Sequence, residues 1–331
     1  MGVQARPTRR SLLQGAGAIT IGAALPGRSA RAAGYPERTV RIIAPFAPGG
    51  PSDITARLMS VKLGDALGQT FVVENRPGAG SNLGTVAVAR SAPDGYTLLV
   101  TSSAFVVNPS LYASANYEPL KDFVPLMVIG ASPNVFVVPA QSEIKSMKQF
   151  LEKAKAAGGK MNWTSSGVGT TPHLAGELIK LRTGIEMQHI PYPGAGPATN
   201  AALAGQVDLY TANIGSLQGQ IDGGKLRPIA VTSQTRWAPL PDVPTLGEVG
   251  IKDAESDTFQ GIFVLAGTPQ PVIDRLAKEL TAILSRPDIK EKFDKIGLPV
   301  VAEGPAQFRA RVEREVPQYK EVIDKAGLRI Q

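Results

Sequence analysis

Four glycine-rich turns hold the residues of this chain best suited to chemistry, at positions 45–53, 75–82, 165–171 and 192–197. Each follows a short apolar, β-branched run and leads into a helical pattern. A turn of this kind and the first helical turn behind it leave backbone N–H groups unpaired, and the helix dipole favours negative charge there. The hydroxyls of Ser81, Ser102, Ser103, Ser165 and Thr170 stand beside these turns. Together they suit the reversible holding of a small anion, most simply a carboxylate. Ser52 and Asp53 fall where N-caps belong and would compete for the same donors.

Other chemistries fit less well. The spacing Gly78-Ala79-Gly80 followed by Gly84 misses the dinucleotide fingerprint by one residue. Gly219 to Gly224-Lys225 resembles a phosphate loop, but Leu226 stands where a hydroxyl must hold Mg²⁺, so Gly223-Gly224 reads as a helix stop. The chain has two histidines, His173 and His189, and no nucleophile or zinc motif accompanies them. His173, in a helix's first turn, is expected to make a local hydrogen bond or to pack, and His189 to be structural. A hydrolase built on Ser102 or Ser103 would lack a recognisable base. With no cysteine, no thiolate metal site exists, and neither metal nor cofactor is expected. The sequon at Asn162-Trp163-Thr164 carries no weight beside a bacterial-type signal.

The elements that position these turns follow an export segment. Arg9-Arg10 precedes a 14-residue apolar stretch, 12–25, and Ala30-Arg31-Ala32 matches a cleavage site, so residues 1–33 read as a Tat-type signal peptide cut near Ala32. Residues 1–33 carry five Arg and no acid, which leaves 30 basic against 28 acidic residues in the remainder. The basic balance is therefore a targeting feature, and no nucleic-acid or membrane-surface partner is expected. About 298 residues remain, enough for two lobes. Strand-like and helix-like runs alternate through both, the pattern of a doubly wound, parallel-rich α/β sheet. The run 126–138 contains Pro133 and reads as a passage between lobes, because proline disfavours a central strand. A strand is expected at 188–192. Helices at 271–284, 287–296 and 305–326 close the chain, the last with a kink at Pro317.

Five ordered motifs give the sequence a family likeness. They are Pro45-Phe46-Ala47-Pro48-Gly49-Gly50-Pro51-Ser52-Asp53, Glu74-Asn75-Arg76-Pro77-Gly78-Ala79-Gly80, Ser166-Gly167-Val168-Gly169-Thr170 with His173-Leu174-Ala175-Gly176-Glu177-Leu178, His189-Ile190-Pro191-Tyr192, and Ala230-Val231-Thr232-Ser233 with Leu240-Pro241-Asp242-Val243-Pro244-Thr245. Over residues 35–331 the chain resembles the Bug (TctC-like) family of periplasmic solute-binding proteins of tripartite tricarboxylate transporters. The resemblance implies a two-lobed, type II periplasmic binding protein (Venus flytrap), with lobe I at 34–132 plus 258–331 and lobe II at 133–257. It implies a monomer that binds a small carboxylate and delivers it to membrane transporter subunits, or else to a sensor kinase. Carried over, ligand contacts fall on Phe46, Ala47, Gly49, Gly50 and Asp53, on Ala79, Ser81 and Asn82, on Ser102 and Ser103, and on Ser165, Gly167, Thr170, Pro191 and Asn213. The family often has Gly where Ser81 stands and Trp where Phe259 stands. Closure would turn on the crossovers near 132–135 and 258–261. Asp53, in the first helical turn, is expected to brace its loop rather than to meet the ligand's charge.

Overall fold

The computed structural model describes residues 1–2, 34–192 and 194–330, so the signal-peptide reading and Pro193 fall outside the described residues. In chain order the elements are β1 (Val40–Ala44), α1 (Pro51–Leu67), β2 (Phe71–Asn75), α2 (Asn82–Ala89), β3 (Thr97–Ser102), α3 (Ala104–Leu111) and α4 (Pro119–Asp122). There follow β4 (Phe123–Pro139), α5 (Met147–Ala157), β5 (Asn162–Ser165), α6 (Thr171–Thr183), β6 (Gln188–His189), α7 (Ala195–Leu203), β7 (Leu209–Asn213), α8 (Ile214–Asp222) and β8 (Leu226–Val231). The chain ends with β9 (Asp257–Leu265), α9 (Gln270–Leu284), α10 (Pro287–Lys295), β10 (Val300–Glu303) and α11 (Pro305–Lys325).

The strands form two parallel wings joined by two long antiparallel strands. In one wing β1 pairs with β2 and β3, and in the other β5 pairs with β6 and β7, all parallel. Between them β9 lies antiparallel to both β3 and β4, and β4 in turn runs antiparallel to β7 and β8. The sheet is therefore mixed where the repeating β-loop-α pattern alone predicted parallel pairing.

β4 corrects a second expectation. Its 17 residues form one strand straight through Pro133. Residues up to Pro133 pair with β9, and Asn134 onward pairs with β7 and β8. Proline thus falls where the strand changes ladders, which is where a missing N–H disturbs least. The passage between wings is real, but it is a strand and not a loop. The strand expected at 188–192 is only Gln188–His189, since Pro191 cannot continue the ladder. α11 stays helical on both sides of Pro317.

Three apolar clusters fill the layers. One, with Val40, Ile42, Met59, Leu63 and Leu276, sits under α1 and α9; another, with Val135, Tyr210 and Leu217, sits in the opposite wing. The largest runs through both, from Ile43 and Phe105 past Phe263 and Phe308 to Trp163 and Leu178. α6 lies so close to β5 that a Cβ built at Gly176 would stand 2.1 Å from a ring carbon of Trp163. A buried indole cannot yield that space without repacking. Gly176→Ala is expected to cost about 2 kcal/mol, read as a lowered urea midpoint with unchanged m-value; an unaltered midpoint would contradict this packing.

Candidate functional site

The glycine-rich turn after β1 does not use side-chain capping in the way its sequence invites. Gly50 is the N-cap of α1, and no side chain caps it. Ser52 instead donates to Gln260 Oε1 at 2.7 Å, tying α1 to β9. Asp53, 3% exposed, accepts from Gly49 N at 2.9 Å, from Arg57 Nε at 3.0 Å and from Asn75 Nδ2 at 2.9 Å. Asn75 Nδ2 also reaches Phe46 O, so one carboxylate binds both ends of the turn to β2. Burial alone would raise the Asp53 pKa, but the hydrogen bonds from Arg57, Gly49 and Asn75 outweigh it and hold the carboxyl below its ordinary range. Asp53 is the brace that its position implied.

The second turn stores strain. Ala79, Gly80 and Ser81 all have positive φ, and Ser81 stands at +87°. Only glycine adopts that conformation freely, so serine there costs about 1 kcal/mol. Asn108 of α3 compensates, donating to Gly80 O at 2.6 Å and to Ser81 Oγ at 3.2 Å.

In the other wing a stack of three rings supports the turn before α6. His173 lies parallel to Trp163 at 5.6 Å between centroids, and His189 packs on both, at 4.3 and 4.4 Å. His173 Nδ1 accepts from Gly169 N at 3.1 Å, which leaves its proton on Nε2, toward Glu177 at 4.0 Å. His189 Nε2 meets Ser165 Oγ at 3.1 Å. Burial lowers both histidines, His173 to about 3 with a further push from His189 and Lys180, and His189 to about 4. Both are neutral, and both hold turn residues in place. Among the described residues neither is hydrogen-bonded to Ser102 or Ser103.

These turns meet at a cavity of about 370 Å³ between the wings. Five predicted residues line it: Phe46, Ser102, Ser103, Thr170 and Asn213. Ala47, Gly49 and Gly50 form the turn beside Phe46 without lining it, and Asp53 lies beneath. Ala79, Ser81 and Asn82 flank Gly80, which does line it; Asn82 is buried. Ser165 and Gly167 are in the turn whose Ser166, Val168 and Gly169 reach the cavity. Pro191 is exposed and apart from it, because the strand that would have carried it inward stops at His189.

The largest group that sequence reasoning missed comes from α3: Ala104, Val107, Asn108, Leu111 and, just after it, Tyr112. Their i, i+3, i+4, i+7 spacing is a helical stripe, masked by the β-branched run and Pro109. Thr171, Pro172 and Thr258 complete the wall, and Thr171 meets Thr258 hydroxyl to hydroxyl at 2.5 Å. Ala104 and Thr171 are the first residues of α3 and α6, so two helix N-termini open on one cavity, one from each wing. That arrangement favours an anion. Phe259, by contrast, is core, edge-on to Phe308 at 5.3 Å.

Among the described residues no helix is long and apolar enough to cross a membrane. Known proteins fit this geometry. The family profile described as tripartite tricarboxylate transporter family receptor matches residues 55–328. Protein BugT of Bordetella pertussis is 35% identical over 298 residues, covering 89% of this chain and 91% of BugT. A TctC solute-binding protein from Polaromonas superposes with a TM-score of 0.82 at 28% identity, covering 88% of this chain and 99% of that one. A protein of R. palustris, solved with adipate, does so with a TM-score of 0.71 at 30% identity, covering 89% of this chain and all of that one. The chain belongs to the TctC (Bug) family of two-lobed solute-binding proteins.

Proposed function

We propose that this protein is an exported receptor that captures a small carboxylate between lobes 34–132 plus 258–331 and 133–257, and passes it to the membrane subunits of a tripartite transporter. The observation that carries the reading is the cavity walled by turns of both wings, with the N-termini of α3 and α6 opening on it. The adipate held by the R. palustris relative supports a carboxylate ligand. A ligand that touches both walls is bound more strongly when they approach, and so it shifts the population toward the closed form. Leu111 of α3 already lies against Gly169 of the opposite turn, where a Cβ would come within 2.6 Å. The two walls thus already meet at this point, and the membrane subunits would read the closed state.

The test is a melting screen of the purified chain against mono-, di- and tricarboxylates. A ligand at one hundred times its Kd is expected to stabilise the fold by about 2.7 kcal/mol. A sugar or a metal cation that raises the melting temperature while every carboxylate fails would refute the assignment.

A further inference from the structure

The cavity between the wings has a larger neighbour. A groove of about 1100 Å³ runs between α3, α4 and α11, with Pro109, Tyr117, Leu120, Val316 and Pro317 in its wall. Among the described residues Tyr112 alone lines both the groove and the cavity.

Tyr112 is fixed at this boundary from two directions. It is the C-cap of α3, where the chain turns from helix to extended backbone. Leu111 O accepts from Ile330 N at 2.8 Å and Ala113 N donates to Ile330 O at 3.1 Å, so the main chain is held on either side of it. Its ring rests on Gly80 of the second turn, where a Cβ would stand 2.7 Å from the hydroxyl oxygen and 3.0 Å from two ring carbons. Gly80 lines the cavity too, which puts the ring at the cavity's edge.

The cavity wall follows α3 from Ala104, its first residue, past Val107, Asn108 and Leu111 to Tyr112. Eight helical residues make that wall about 12 Å long. On the carboxylate reading the acid group belongs at the Ala104 end, where the helix dipole favours it, and the far end of the ligand then points at Tyr112. At about 370 Å³ the cavity is near the lower limit of small-molecule sites.

We infer that Tyr112 selects ligand length: it closes the cavity off from the groove and so restricts the receptor to short acids. The inference rests on the carboxylate reading of the cleft and adds a size limit to it. A smaller side chain at 112 would join the two spaces. A longer acid could then lie along α3 and on into the groove, covering its apolar wall.

Isothermal titration of the full chain with monocarboxylates and linear dicarboxylates of four, six and ten carbons tests it. The wild type should bind the ten-carbon acid about tenfold or more weakly than the six-carbon acid of the same series, because the chain end must displace a packed ring. Tyr112→Ala should erase that deficit, since each methylene that reaches the groove adds about fourfold. Tyr112→Phe keeps the ring and should keep the wild-type ratio. Tyr112→Leu should fall between the two, and it serves where the alanine protein is unstable. A wild type that binds ten carbons as tightly as six would overturn the length limit and leave the carboxylate cleft standing. So would an alanine or leucine variant of unchanged melting temperature that keeps the wild-type ratio. Absence of binding by every acid, in wild type and variants alike, would bring down the carboxylate reading itself.

Discussion

Asp53→Ala is expected to lower the stability of the ligand-free protein by about 3 kcal/mol, because three donors lose a buried charged acceptor at once. Arg57 is half exposed and can turn to water, which limits the loss. Gly49 and Asn75 cannot turn so easily, and Asn75 also holds the Phe46 carbonyl. The turn that carries Phe46 should therefore loosen, and carboxylate affinity should fall at least tenfold. Asp53→Asn keeps the shape but not the charge and should fall between the two. Because hydrogen bonding lowers the folded pKa, this stabilisation is complete above the ordinary carboxylate range and is lost as pH falls through the depressed folded value. Equal stability of Asp53→Ala and wild type at pH 7, with tighter carboxylate binding, would mean instead that the acid repels the ligand.

The second large effect concerns the two histidines. In the unfolded chain they titrate near 6.5; in the fold burial holds them at about 3 and about 4. Between those values the unfolded state binds protons that the folded state refuses, so stability falls as pH drops below 6.5. At pH 5 each histidine accounts for about 2 kcal/mol of that loss. A second pair opposes it. Burial raises Asp257 to about 6 and Glu315 to about 7, although Arg311 lies beside both. These carboxyls keep protons in the fold that the unfolded chain releases, so they add stability as pH falls from 7. The intact protein should therefore show a shallow profile from pH 7 to 5, and the histidine contribution emerges by comparison. His173→Gln should be less stable than wild type at pH 7, and the gap should shrink by about 2 kcal/mol at pH 5. A gap that does not move with pH would refute the neutral, buried state. The geometry gives the same test a binding readout. A proton on Nδ1 of His173 would face the Gly169 N–H donor to donor, so ligand affinity should drop when that proton is forced on.

Legibility from sequence followed the range of the forces involved. The turns, their helices and the local part of Asp53's role, its bonds to Gly49 and Arg57 four positions away on either side, depend on near neighbours that were visible; its bond from Asn75, 22 positions on, was not. The role of Asn108 could not be seen, because its partners Gly80 and Ser81 lie in another turn. Pro133 misled because a local rule about proline met a tertiary fact, the change of ladder partners at that residue. Ser52 looked like a cap, yet Gln260, 208 positions away, claims its hydroxyl. The two histidines were read as structural from position alone, and the stack on Trp163 gives them a packing role. Pro191 was placed at the site by likeness, and it lies outside the cavity wall, past the end of its strand.

The two strands that join the wings also set an order of events in folding. β3 cannot complete its pairing until residues 260–263 of β9 exist, and β9 follows the entire second wing in the sequence. A nascent chain that has emerged only as far as β8 thus holds a finished second wing and a first wing with an open edge. Such a pairing, with about 160 residues in its loop, closes slowly. Until it does, the exposed edges of β3 and β4 invite association with other chains. The C-terminal quarter is then the clasp that finishes the N-terminal one, and its deletion should leave a protein that aggregates.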